Sequence, residues 1–274
     1  LKLDYTGETP VMTLKGVDVN AGAVGIDFGS KDAVLTSDLV IVIDGDSTIV
    51  NEETTGNNYY NTPALALYTS GTVTIQSKNN GKLTLKSNNN YAIGQGATLY
   101  AGGNLVLDDA NIAMEGQGAW GDSQYGIYAV GNVTVSGGEL TSRQTKDLKQ
   151  SIKCATFEAK DGANVKIWAA NSDSIGSNFV CIDAASIKID RANVSIGAYD
   201  TAFSVEPVIT NCSFAKGSTQ NPAWSGAPGE MTFKEDIGAE RDFTEWKQFK
   251  SIAATAADIT ALTFTLNSDN ASYS

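Results

Sequence analysis

The feature that most constrains this chain is a polar corner followed by an apolar-x-apolar strand, repeated along the sequence. It occurs at Thr72-Val73-Thr74-Ile75, Asn104-Leu105-Val106-Leu107, Asn132-Val133-Thr134-Val135, Asn164-Val165-Lys166-Ile167 and Ser186-Ile187-Lys188-Ile189. Looser copies stand at Asp38-Leu39-Val40-Ile41 and Pro207-Val208-Ile209. The period of two is that of a half-buried strand. One such unit cannot bury its apolar face alone, so it needs copies of itself stacked above and below, and steps of roughly 22 to 34 residues fall in the range of solenoid repeats.

One complete coil can be read between residues 125 and 141. Ile127/Ala129 and Val133/Val135 alternate with polar or small residues, and Gly131-Asn132 and Gly137-Gly138 supply corners where positive φ is cheap. Another short strand precedes each corner at a nearly constant distance: Leu65-Ala66-Leu67-Tyr68, Ala97-Thr98-Leu99-Tyr100, Gly126-Ile127-Tyr128 and Cys181-Ile182-Asp183. The length variation therefore sits after the third strand, in 51–63, 87–96, 115–124, 143–152 and 171–178. Insertions at one place in a coil leave from one flank of the stack, often the binding flank.

These patterns predict an all-β chain, a single right-handed parallel β-helix with caps at both ends. Residues 1–24 read as the N-terminal cap, 25–214 as the parallel β-helix, and 215–274 as a C-terminal loop and cap. Within the last segment, Phe243, Trp246 and Phe249 suit a short amphipathic helix, and Leu262-Thr263-Phe264-Thr265-Leu266 alternates again. The polar corners Thr72, Asn104, Asn132, Asn164 and Ser186 are expected to stack as one ladder that satisfies backbone groups.

Composition narrows the function. Nineteen basic residues against 31 acidic ones give a net charge of -12, which argues against nucleic acid or an anionic membrane surface as partner. There is no histidine, so the commonest general base and neutral metal ligand are missing. Cys154, Cys181 and Cys212 lack C-x-x-C spacing, so they make neither a zinc site nor a disulfide framework; Cys154 and Cys181 could lie on neighbouring coils, with a buried free thiol as the expected state. No apolar run reaches the roughly 18 residues of a membrane span, and no basic-then-apolar targeting segment is seen. A first residue Leu1 in place of an initiator methionine suggests processing or trimming, and richness in Asn, Gly, Ser and Thr suits an extracellular or cell-surface protein.

Candidate binding residues lie in the insertions: Tyr59 and Tyr60 in the first, Tyr91 in the second, and Trp120, Asp122 and Tyr125 in the third. Flat rings beside amides and carboxylates suit a sugar, whose C–H faces stack on aromatic planes while its hydroxyls bond the polar neighbours. Asp44-Gly45-Asp46 and Asp108-Asp109 invite a calcium reading, but the EF-hand and glycine-rich nonapeptide patterns are absent and tight turns account for both. Serine nucleophiles lack a base, and no carboxylate pair carries a recognised glycosidase or lyase motif, so a non-enzymatic role is expected.

The coil from 125 to 141 and its relative from 103 to 113 resemble the repeats of bacterial surface right-handed β-helix proteins, in particular the clostridial carbohydrate-binding β-helix family, whose members look like pectate lyases without the catalytic machinery. That resemblance, over about residues 25–214, implies non-catalytic binding of an acidic polysaccharide on an exported protein, with calcium as a bridge between acidic protein and acidic polymer. It carries no ligand residue over to this sequence. Two alternatives stay open: an adhesin or structural β-helix whose insertions contact protein, and a polysaccharide lyase or glycoside hydrolase.

Overall fold

The computed structural model describes residues 1–4, 6–22, 25–51, 63–87, 96–116, 124–144, 150–169, 180–198, 201–218 and 251–257. Its described residues form 25 strands in three sheets, and successive coils add one strand to each sheet in turn. The first sheet holds β1 (Lys2–Asp4), β2 (Val11–Leu14), β5 (Leu39–Asp44), β8 (Thr72–Lys78), β11 (Asn104–Asp108), β14 (Val133–Ser136), β17 (Thr156–Lys160), β20 (Ser186–Asp190) and β23 (Val208–Thr210), in that spatial order. The second holds β3 (Asp18–Ala21), β6 (Ser47–Asn51), β9 (Lys82–Ser87), β12 (Asn111–Gly116), β15 (Glu139–Gln144), β18 (Asn164–Ala169) and β21 (Asn193–Ala198), then β25 (Ser251–Ala256) and β24 (Cys212–Ser218). The third holds β4 (Ile26–Phe28), β7 (Leu65–Leu67), β10 (Gly96–Ala101), β13 (Gln124–Ala129), β16 (Gln150–Lys153), β19 (Val180–Asp183) and β22 (Thr201–Phe203). The architecture is all-β and solenoid-like, with parallel pairing throughout the body of the stack.

Parallel register puts like residues over like. In the first sheet Val73, Leu105, Val133, Phe157 and Ile187 form one inward column, and Ile75, Leu107, Val135, Ala159 and Ile189 the next. All ten are buried. The residues between them, Thr74, Val106, Thr134 and Glu158, are only partly buried, as the alternation requires. Each fully buried aliphatic side chain contributes about 1.5–3 kcal/mol relative to exposure, so the columns supply the main driving force.

The two corners flanking the first sheet work by different means. Between the first and second sheets the chain turns through positive φ: Gly45 (90°), Asn79 (56°), Asp109 (48°), Gly137 (64°), Asp161 (55°), Arg191 (50°) and Asn211 (53°). Every described non-glycine residue with positive φ sits at this corner, where Asn and Asp are the side chains that tolerate the left-handed region best. Between the third and first sheets, Gly71, Gly103 and Gly131 have no positive φ. There the glycines are needed for close approach: a β-carbon on Gly131 would lie 2.9 Å from Asn104 N, and one on Gly71 2.6 Å from Ser37 O. The expectation of a positive-φ corner at Gly131-Asn132 is thus corrected, whereas Gly137-Gly138 does carry positive φ.

The polar ladder exists with one member replaced. Asp38 Oδ1 accepts from Thr72 N (2.7 Å), Asn104 Nδ2 donates to Thr72 Oγ1 (3.4 Å), and Asn132 N donates to Asn104 Oδ1 (3.0 Å). Thr72, Asn104 and Asn132 are therefore aligned along the axis, in steps of 32 and 28 residues. Asn164 does not continue this column. It opens β18 in the second sheet and aligns with Asn111, Glu139 and Asn193. The first-sheet strand of that coil is β17, so the ladder passes from Asn132 through Thr156 to Ser186.

Asp44 and Asp108 serve structure. Asp44 Oδ1 accepts from Asn79 Nδ2 (3.0 Å), Asp46 Oδ1 from Lys82 N (3.1 Å), and Asp108 Oδ2 from Gln76 Nε2 (2.7 Å), each tying one coil to the next. Among the described residues, no three His, Cys, Asp or Glu side chains converge as a metal site would require. No described helix is long and apolar enough to cross a membrane.

At the start of the stack β1 pairs antiparallel with β2, while β2 and β3 already pair in parallel with β5 and β6. At the far end β25 lies antiparallel between β21 and β24, which ends parallel growth of the second sheet. The 230–250 segment and the alternation at 262–266 lie outside the described residues.

The cysteines are free, with Cys154 and Cys181 buried and Cys212 half-buried. Burial pushes the Cys154 and Cys181 thiols up to about 12. A disulfide-forming aromatic reagent at pH 8 is expected to label Cys212 at most in the folded protein and all three cysteines in denaturant. Fast labelling of two or more without denaturant would contradict the buried assignment.

Candidate functional site

Each long insertion leaves from a strand of the second sheet and returns at a strand of the third: 52–62 joins β6 to β7, 88–95 joins β9 to β10, 117–123 joins β12 to β13, 145–149 joins β15 to β16, and 170–179 joins β18 to β19. They share one place in the coil, as the sequence predicts. Tyr59, Tyr60, Tyr91, Trp120 and Asp122 lie outside the described residues. Tyr125 is described: it is half-buried on β13, in the first turn of chain after the third insertion.

Tyr125 leads to a feature of the third sheet. Its ring stacks on Tyr128 (centroids 5.1 Å apart, 23° between planes), Tyr128 meets Tyr100 at 5.8 Å, and Tyr100 meets Tyr68 at 5.2 Å. The last two separations are close to the roughly 4.8 Å between neighbouring strands, because Tyr68, Tyr100 and Tyr128 stand on successive coils, whereas Tyr125 and Tyr128 share β13. Tyr100, Tyr128, Lys153 and Asp183 are register partners on β10, β13, β16 and β19, so the row continues from aromatic to charged residues. Strand alternation turns the row away from Leu99, Ile127, Ile152 and Ile182, which are buried in the core; Tyr128, Lys153 and Asp183 are half-buried, and Tyr100 is only 8% exposed.

A second column runs beside the first, two residues further along each strand. The hydrogen bonds Gly102 N to Leu67 O and Val130 N to Ala101 O, with the bridge between Leu35 and Thr69, align Val34, Tyr68, Gly102 and Val130. Val34 is 51% exposed and Val130 53%. Gly102 leaves a flat place between Tyr68 and Val130. The result is a strip parallel to the stacking axis, made of tyrosine rings, small apolar residues and one ion pair.

The polar end is closely bonded. Asp183 Oδ2 accepts from Lys153 Nζ and also from Gln150 Nε2 (3.4 Å). Burial acts to lower the Lys153 pKa, but the hydrogen bond and charge of Asp183 outweigh it and raise the ammonium above its ordinary value. Burial raises Tyr68, Tyr100 and Tyr125 as well; Asp27 adds to this at Tyr68, and the Lys153 charge opposes it at Tyr125. All three are neutral phenols at physiological pH and can donate through O–H. Thr98 Oγ1 and Gln150 Oε1 are buried on the same sheet without a hydrogen-bond partner.

Of the sequence-predicted residues, Tyr125 is the one among the described residues, and it borders this strip. Sequence reasoning missed Tyr68, Tyr100, Tyr128 and Lys153 as site residues, although the tyrosines end the very strands used to place the corners. Their simple alignment is also shifted: Tyr100 pairs with Ala66, so Tyr68 lies diagonal to it. No protein-family model, no curated protein and no solved structure matches the chain.

Proposed function

We propose that this protein binds a polysaccharide without cleaving it, through the tyrosine strip of the third sheet and the insertions that border it, on an exported protein or at a cell surface. The coils are read as a single right-handed parallel β-helix, the hand that crossover connections between parallel strands take in about 98% of cases. The observation that carries the functional reading is the Tyr68–Tyr100–Tyr128 row with Tyr125 stacked on it, beside Gln150, Lys153 and Asp183. Tyr68, Tyr125 and Tyr128 are half-buried and keep a face for sugar C–H groups, Tyr100 is buried behind them, and the neighbouring ammonium and carboxylate can bond hydroxyls. Calcium enters this reading only for an acidic polymer, where a divalent ion would offset repulsion from a protein of charge -12.

Exposed Val34, Leu35 and Val130 favour a second reading, an adhesin whose partner is protein. Affinity electrophoresis through gels containing different polysaccharides separates the two. Retardation by a glycan is expected, and Tyr128→Ala should weaken it about tenfold, or about 1.4 kcal/mol, while circular dichroism stays that of a folded β protein. Tyr128→Phe should keep most of the binding. Unchanged retardation in the alanine variant would remove the strip from the site, and no retardation by any glycan would favour the protein partner.

A further inference from the structure

We infer that two copies of this chain associate end to end, by antiparallel pairing of β1 with the β1 of a second copy about a two-fold axis at Leu3. The inference stands apart from the polysaccharide reading, whose strip lies on the third sheet. β1 closes the first sheet and, among the described residues, has one strand neighbour, β2. Its far edge is lined by backbone N–H and C=O groups, and such an edge is a template for another strand. Register with β2 gives β1 two distinct sides. Leu3 lies opposite buried Met12 on the core side, whereas Lys2 and Asp4 lie opposite Thr13 and Val11 on the outer side. Leu3 is nonetheless 38% exposed, and Leu1 69%. The core is thus partly uncovered at this end, where Val17, Val19 and Ile26 are also only partly buried.

Charge on an edge strand usually blocks pairing. Here it blocks one geometry and favours another. In a parallel, in-register pair Lys2 would face Lys2 and Asp4 would face Asp4 of the second copy, and like charges directly opposite are destabilising. In an antiparallel pair centred on Leu3, Lys2 of each copy faces Asp4 of the other, twice by symmetry, and the two Leu3 side chains meet on the core side. Both charged groups are accessible: the Lys2 and Asp4 side chains are 76% and 38% exposed, and at 3.7 Å within the strand they form only a loose ion pair. Hydrogen bonds from Thr6 and the charge of Lys2 hold the Asp4 carboxyl below its ordinary pKa, so it is ionised at neutral pH. A two-fold contact of this kind uses the same patch on both copies and closes on itself, which gives dimers and not filaments. It also sets the exposed Leu1 and Leu3 of each copy against apolar surface of the other.

The test is sedimentation equilibrium of the 274-residue chain over about 1 to 500 µM. A reversible monomer–dimer equilibrium is expected. Leu3→Asp should weaken it about tenfold or more, and so should Lys2→Glu or Asp4→Lys alone, because each of these two sets like charges opposite one another at both symmetry-related positions. An equimolar mixture of the Lys2→Glu and Asp4→Lys chains should recover wild-type association to within about threefold, since every facing pair is again of opposite charge. The exchange Lys2→Asp with Asp4→Lys on one chain should likewise restore the dimer. Folding is checked for each variant by circular dichroism; β1 lies outside the parallel stack, and β2 keeps its pairing with β5 without it. A chain that stays monomeric over this range would overturn the inference. So would a dimer indifferent to Leu3→Asp, or a mixture of folded variants that associates no better than its two components.

Discussion

Leu107→Asp is expected to abolish cooperative folding of the central coils. Leu107 is 1% exposed and lies in the inward column between Ile75 and Val135, both fully buried and apolar. The substitution removes about 2–3 kcal/mol of apolar burial and adds several kcal/mol to bury or neutralise a carboxylate. Together these approach the about 5–15 kcal/mol by which ordinary domains are stable. In a stack the damage spreads, since each coil rests only on its neighbours. Val106, one residue earlier, is partly buried on the other side of the strand, so Val106→Asp should cost about 1 kcal/mol or less. Urea titration followed by circular dichroism measures both. Similar losses for the two variants would mean that the alternation along β11 is wrongly assigned.

Gly103→Ala is expected to cost about 3 kcal/mol or more, although it adds a single methyl group. Its φ is not positive, so backbone strain is not the cause. A β-carbon there would stand 2.7 Å from both the carbon and the oxygen of the Ser70 carbonyl and closer still to Gly71 O, all of them backbone atoms of the coil beneath. Backbone cannot move aside without breaking the register that aligns Asn104 with Thr72. Gly162 makes the contrast. Its φ is +80°, and a β-carbon would meet nothing within 4 Å, so Gly162→Ala should cost about 1–2 kcal/mol of conformational strain alone. If the two variants lose equal stability, close approach is not what places glycine at the corner between the third and first sheets.

Much of this architecture is legible in the sequence because its signals are local and repeated. Val73-Thr74-Ile75, Leu105-Val106-Leu107 and Val133-Thr134-Val135 each fix an inward face, and parallel stacking needs only that the copies align. The insertions are legible for the same reason, since everything between them keeps its spacing. Asn164 was misplaced because both corners of the first sheet use the same vocabulary, a small polar residue before apolar-x-apolar. The true first-sheet strand, β17, presents Phe157-Glu158-Ala159, in which Ala159 is a weak apolar mark. Gly131 and Gly137 look alike in sequence too, yet one avoids a clash with Asn104 and the other adopts positive φ. Which role a glycine plays depends on the coil beneath, and that is not local information.

The site was less legible. Aromatic residues in the insertions stand out because loops carry function, whereas Tyr100 and Tyr128 sit inside strands, where nothing local sets them apart. Only stacking reveals that they meet one another and that Tyr68 joins them diagonally. Lys153 and Asp183 are similarly ordinary until register makes them neighbours 30 residues apart in sequence. The antiparallel strands β1 and β25, which close the stack ends, have no repeat to announce them.

The most direct test of the central claim, that consecutive coils line up their tyrosines into one binding strip, is a crystal structure of the chain with a bound oligosaccharide from a glycan that retards it. The expected result is a sugar ring against the half-buried faces of Tyr68, Tyr125 or Tyr128 on the third sheet. A sugar seated on another sheet, with these rings uncovered, would contradict it.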